Sequence, residues 1–222
     1  RCRLAGRGHP LAADGPGGGV VVFVVAGALL NNPTSTTGEV VHTLVPAPKA
    51  GTCNAVTRRA AVDNIKPTLI HEFQHMISFN QHSLIRGGAS EEVWLNEALS
   101  HFAEERGGRL IPPSECLPTF TSCRSEYTSG DIFNAYEYLG NPESDFVVFP
   151  TSSSGTLPER GAVWLFVRWT LDQFATDTIL GTNLTRALVG TSLTGATNIA
   201  SATGGNFSTM IPEGMMAADL DD

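Results

Sequence analysis

The pentapeptide His71-Glu72-Phe73-Gln74-His75 constrains this chain more than any other stretch. On a helix, residues four apart lie about 40° around the axis and one turn along it, so the two imidazoles share a face and can grip one ion. Glu72 stands beside them, close enough to take a proton from a metal-bound water. Zinc in catalytic sites takes three protein ligands and leaves a fourth position for water, so this HExxH signature supplies most of a hydrolytic centre. The chemistry requires a helix here. Pro67 suits a first helical turn, and Leu69, Ile70, Phe73 and Ile77 recur at three- and four-residue spacing, which predicts a buried apolar stripe.

The third ligand is sought by spacing. A metzincin needs glycine three residues after the second histidine and histidine six after it, where this chain has Ser78 and Gln81, with His82 one position late. Met215 and Met216 lie far downstream in a poorly patterned tail and read as packing. The alternative is an acid from a following helix, Trp94-Leu95-Asn96-Glu97-Ala98-Leu99-Ser100-His101-Phe102-Ala103-Glu104-Glu105. Glu97 comes 22 residues after His75, enough for a helix end, a loop and one turn of a second helix. A carboxylate from a separate helix closes a tetrahedron that two histidines on one helix cannot close alone. His101 and Glu104, one and two turns beyond Glu97 on the same face, are the rival ligands.

An HExxH helix followed some twenty residues later by a Trp-Leu-Asn-Glu or Asn-Glu-x-x-Ser helix resembles the gluzincin metallopeptidases, thermolysin-like enzymes and aminopeptidase N among them. The runs His71 to Ile77 and Trp94 to His101 most resemble the hyicolysin family of secreted neutral metalloendopeptidases. The resemblance covers about 45 residues, with a weaker echo from Arg160 to Phe174. It implies zinc bound by His71, His75 and Glu97, with Glu72 as general base. Thermolysin-like sequences carry Asp four residues after the ligand Glu, where this chain has His101. That leaves either Glu104 or His101 as the group that receives a ligand histidine's other N–H.

The chain has 222 residues, enough for one catalytic domain or two small lobes around a cleft. A formal charge of −8 argues against nucleic acid or an anionic membrane as partner, which leaves a protein or peptide substrate and a monomer. The longest apolar run, Gly19 to Leu30, falls short of the roughly 20 residues of a membrane span. Its valines suit a buried strand, and nearly twenty residues precede it, so it is not read as a signal-peptide core; the chain reads as a mature or excised catalytic region. Cys2, Cys53, Cys116 and Cys123 lack metal-type spacing. They read as two disulfides, Cys116 with Cys123 and Cys2 with Cys53, in a secreted, extracellular protein.

Val20 to Val25 and Glu39 to Val45 read as two strands of an upper lobe, with His42 on a strand face and His9 in an irregular surface arm. One strand is expected to serve as the edge along which a substrate adds. The fold expected is therefore α+β and zincin-like. A small N-terminal mixed sheet lobe with the HExxH helix spans about residues 1–82 and a mainly helical lobe about 83–222, with the active-site cleft between. Ser90 reads as the N-cap of the second helix, which stops at Gly107-Gly108. Residues 109–130 read as a stapled surface excursion. Helices are expected over Asp131 to Leu139, Pro158 to Phe174 and Leu184 to Val189, followed by an unpatterned tail. Asn183-Leu184-Thr185 and Asn206-Phe207-Ser208 match the glycosylation acceptor pattern.

The function expected is zinc-dependent endopeptidase activity, with Arg160, Tyr136 and Tyr138 as candidates to stabilise the oxyanion. The alternatives are an inactive zincin-like peptide-binding domain and a zinc exopeptidase, although no Gly-x-Met-Glu-Asn type motif for gripping an amino terminus is present.

Overall fold

The computed structural model describes residues 22–24, 41–43, 58–115, 123–150, 152–177 and 180–220. Helix α1 (Arg58–Phe79) starts nine residues ahead of Pro67, which sits inside it rather than in its first turn. The run from Arg58 to Lys66 has enough helix formers to carry the helix back, at the cost of the one backbone hydrogen bond that proline cannot donate. A wider turn, Asn80–Ile85, ends this rod. Helix α2 (Val93–Leu110) follows, with Glu92 rather than Ser90 at its N-cap position.

Gly107 and Gly108 do not end α2; they lie within it. A Cβ on Gly107 would meet the tip of the Ile70 side chain, so the glycine leaves room for that side chain between α1 and α2. Helix α3 (Cys123–Gly140) begins well before Asp131, in residues read from sequence as part of a surface excursion. Helix α4 (Leu157–Phe174) opens with a reciprocal cap. Thr156 Oγ1 accepts from the Glu159 amide at 3.3 Å, and Glu159 Oε2 accepts from the Thr156 amide at 2.7 Å.

The tail is helical too. After α5 (Thr182–Val189) come α6 (Gly195–Thr203) and α7 (Phe207–Leu220). Small residues weakened the sequence pattern there, but a few large ones suffice, since Ile199 and Met210 are buried in the core.

The core is helix against helix. α2 touches α1, α3 and α4, and α4 packs on α3 and α7. Trp94, Leu95, Ala98 and Phe102 of α2 meet Val163, Phe166 and Val167 of α4, with Leu184, Leu188 and Met210 closing the far side. Trp94 and Phe166 both lie against Phe207 of α7, at ring-centroid distances of 5.6 and 5.9 Å. Gly161 sets the depth of the α3–α4 contact, because a Cβ there would fall 2.3 Å from the Ala135 nitrogen.

The expected α+β architecture is overturned. Among the described residues the strands are one antiparallel pair, β1 (Val22–Val24) and β2 (Val41–Thr43), joined in the register Val22 to Thr43, Phe23 to His42 and Val24 to Val41. A ribbon of three residues per strand has too little apolar face to form a lobe. It lies beside α1, and the body is a packing of helices. His9, Cys2, Cys53 and Cys116 and the disulfides expected of them lie outside the described residues, as do the side chains of His42 and Cys123. Among the described residues, no helix is long and apolar enough to cross a membrane.

Candidate metal centre

Helix α1 turns its polar face inward. Of the predicted buried stripe, Ile70 is half-buried, while Leu69, Phe73 and Ile77 are 43%, 51% and 40% exposed; His71, Glu72, Gln74, His75 and Ser78 are buried. The reason lies on α2. Glu97, Ser100 and Glu104 recur there at three and four residues, on one face, and each engages a buried polar group of α1.

His71, His75 and Glu97 offer ligand atoms that all lie within 4.8 Å of one another. His71 Nε2 is 3.3 Å from Glu97 Oε2, and His75 Nε2 is 3.7 Å from Glu97 Oε1. Bonds of about 2.0–2.2 Å around a tetrahedral zinc give ligand-to-ligand edges of roughly 3.4 Å, so these separations suit one ion between the three groups. His75 Nε2 and Glu97 Oε2 are buried without a hydrogen bond, which is costly unless a ligand completes them. The donor set of two imidazoles and a carboxylate fits zinc.

The other ring nitrogens are committed. His71 Nδ1 lies 2.7 Å from Glu104 Oε1, and because an ionised carboxylate only accepts, the nitrogen donates and Nε2 is the ring atom turned to the metal position. Ser100 Oγ donates its hydrogen to Gln74 Oε1 at 2.6 Å, so at 3.1 Å it accepts from His75 Nδ1–H. That fixes the second tautomer, with the lone pair on Nε2. Burial lowers the His75 pKa to about 4 against the pull of Glu97, so the ring is neutral. Burial also opposes charge on His71, but its bonds to Glu104 and Glu97 outweigh this and raise its pKa to about 10. Glu97 is held well below the usual carboxylate range: burial works against ionisation, and the neighbouring His75, His71 and Arg160 overcome it.

Beyond Glu104 the polar cluster continues. His101 Nδ1 lies 3.1 Å from Glu104 Oε1 and 2.8 Å from Asp131 Oδ1, at ion-pair distance to both carboxylates and in hydrogen-bond line with neither. Burial holds the Glu104 pKa up less than His101 and His71 pull it down, to about 2, whereas burial and the charge on Glu104 raise Asp131 to about 7. His71, His101 and Glu104 also form a compact group of potential ligands. Separations of 2.7 and 3.1 Å are those of hydrogen bonds and ion pairs, however, and short for ligands held apart around one ion.

The sequence candidates therefore divide. Glu97 stands with both histidines, Glu104 stands behind His71, and His101 stands one group further out. Glu72 is buried on the metal helix, at 4% exposure. Arg160 is brought in: its Nη1 lies 3.5 Å from Glu97 Oε2, and Nε and Nη2 both donate to the Ser154 carbonyl. Tyr138 is not, because its hydroxyl donates to Met215 Sδ between α3 and α7. Tyr136 is 75% exposed on the outside of α3.

Sequence reasoning missed Gln74, Ser100 and Asp131. Ser100, one turn after Glu97, was legible from helical spacing, but nothing near Asp131 in the chain marks it. A cavity of about 510 Å³ bounded by Ile77, Leu99, Phe102 and Arg106 lies between α1, α2 and α5. None of the trio lines it. A scan against protein families found no match for this chain, and a search of curated proteins found none either.

Proposed function

We propose that this chain is a zinc-dependent endopeptidase, with His71, His75 and Glu97 as the metal ligands and Glu72 as the general base. The observation that carries the reading is the trio itself, three buried potential ligands whose donor atoms all lie within 4.8 Å of one another. The resemblance of the two motif runs to gluzincin metallopeptidases, carried by the same residues, accords with it.

When bound, zinc supplies a Lewis acid and a water acidic enough to lose its proton near neutral pH. The chain's own residues do the rest. Gln74 and Ser100 hold His75 in the tautomer that presents Nε2. Glu104 does the same for His71. Glu72 accepts the proton as the scissile carbonyl is attacked and returns it to the leaving amine. Arg160, a permanent cation pinned beside Glu97, is the oxyanion candidate that stands at the site. The net charge of −8 accords with a protein or peptide substrate rather than nucleic acid, and four cysteines read as two disulfides accord with a secreted, extracellular monomer.

The test is hydrolysis of quenched peptides by zinc-loaded protein, with and without a chelator. The reading expects cleavage inside the peptides that chelator abolishes and zinc restores, and a loss of about 10²–10⁴-fold in kcat for Glu72→Gln with zinc still bound. A zinc-loaded protein that cleaves nothing, or full turnover by Glu72→Gln, would contradict it.

A further inference from the structure

The buried cluster behind His71 reaches a third helix, and we propose that Asp131, acting through His101, is a positioning residue that holds Glu104 and thereby sets the orientation of His71. This rests on the metal-centre reading above. His71 belongs to α1, Glu104 and His101 to α2, and Asp131 to α3, so the four groups stitch three helices together behind one ligand.

Each link is short, and all but Glu104, which is half-buried, are buried. Asp131 is 2% exposed, and its Oδ1 lies 2.8 Å from His101 Nδ1. His101 in turn meets Glu104 at 3.1 Å, and its ring packs edge-on against His71 with centroids 4.6 Å apart. Glu104 then takes the His71 Nδ1 proton at 2.7 Å. A carboxylate that accepts from a ligand histidine orients the ring only if it is itself fixed. His101 stands at ion-pair distance from Glu104 on one side and from Asp131 on the other, and that pairing is what would hold Glu104 in place.

A second cluster in the molecule shows what a purely structural tie looks like. Glu105, fully buried on α2, is held by Arg109 at 2.8 Å and by Arg168 of α4. That tie uses arginines, which are permanently charged and bind in a fixed fork. The cluster behind His71 instead places one imidazole between two carboxylates, at ion-pair distance to both. Burying two carboxylates and two imidazoles costs more than filling the same space with apolar side chains, so stability alone does not account for it.

The fold also places Asp131 with care. Asn134 and Ala135, three and four residues later on the same face of α3, are the residues that Gly161 admits to near backbone contact. The same approach sets Arg160 beside Glu97, so one helix contact positions groups on both sides of the centre.

The experiment compares wild type with Asp131→Leu, which keeps the branched shape and removes the acceptor, Asp131→Asn, which keeps volume and an acceptor, and His101→Phe. Zinc affinity is read by chelator competition, ligand geometry by the visible bands of the cobalt(II)-loaded protein, and folding by thermal unfolding without metal. His75→Ala serves as the control for the metal site. Asp131→Leu and His101→Phe should each weaken zinc binding about 10–100-fold and shift the cobalt bands, and the double variant should be little worse than either alone. Asp131→Asn should stay within a few-fold of wild type. Wild-type affinity and bands in Asp131→Leu, or a lowered melting temperature with unchanged bands, would overturn the proposal while leaving the metal site standing. Failure of wild type to take up zinc more tightly than His75→Ala would instead bring down the metal-centre reading, and this proposal with it.

Discussion

The two nitrogens of His71 face two differently built halves of the same site. On the Nε2 side, His75 and Glu97 stand 3.3–3.7 Å from their neighbours. On the Nδ1 side, Glu104, His101 and Asp131 close to 2.7–3.1 Å. Composition and burial are alike in both. Spacing separates them: the loose half stands at the separations of ligands around one ion, and the tight half at those of hydrogen bonds and ion pairs. A cluster of histidines and acids is thus read by the gaps between its atoms, not by its residue types.

The difference can be broken most forcefully on the loose side. Removing a ligand, as in Glu97→Ala or His75→Ala, should cost roughly 10²-fold or more in zinc affinity, since a four-ligand zinc site is worth about 10–16 kcal/mol in all. Competition with a chelator measures this. Arg160→Met also acts on this side, but on turnover: kcat should fall about 10²–10³-fold while zinc stays bound, measured on peptide substrate with zinc in excess. On the tight side, Glu104→Gln leaves the three ligands in place and should weaken zinc only about 10–100-fold. Equal losses for Glu104→Gln and Glu97→Ala would erase the distinction between the halves.

A gentler probe is the proton. In the metal-free protein the His71 pKa near 10 means the ring is charged at pH 7, while His75, near 4, is neutral. Zinc must expel the proton from His71 Nε2, because Nδ1–H stays on Glu104. Uptake at pH 7 should therefore release about one proton, and apparent affinity should rise about tenfold per pH unit below pH 10. Calorimetry in buffers of different ionisation enthalpy gives the number released.

Local signals carried much of this site and little of its surroundings. His71, His75 and Glu97 were legible because each lies on a helix whose period puts it on a definite face, and Glu104 follows Glu97 by two turns. Asp131 was not, since its partner is on another helix and no spacing along the chain encodes that contact. Periodicity identified α1 as amphipathic but put the apolar face inside; the partners on α2 turned most of it out and buried the polar face instead. Gly107-Gly108 carries the usual mark of a helix end, yet it serves the approach of Ile70, a demand made by tertiary packing alone. The valine-rich runs suggested a sheet lobe, but among the described residues the strands are one pair, fewer than a lobe needs.

The most direct measurement is an anomalous difference map at the zinc edge from crystals soaked in zinc. The account predicts one peak about 2.0–2.2 Å from His71 Nε2, His75 Nε2 and a Glu97 oxygen, and none among Glu104, His101 and Asp131. A peak on the Nδ1 side of His71, or no peak between the trio, would contradict it.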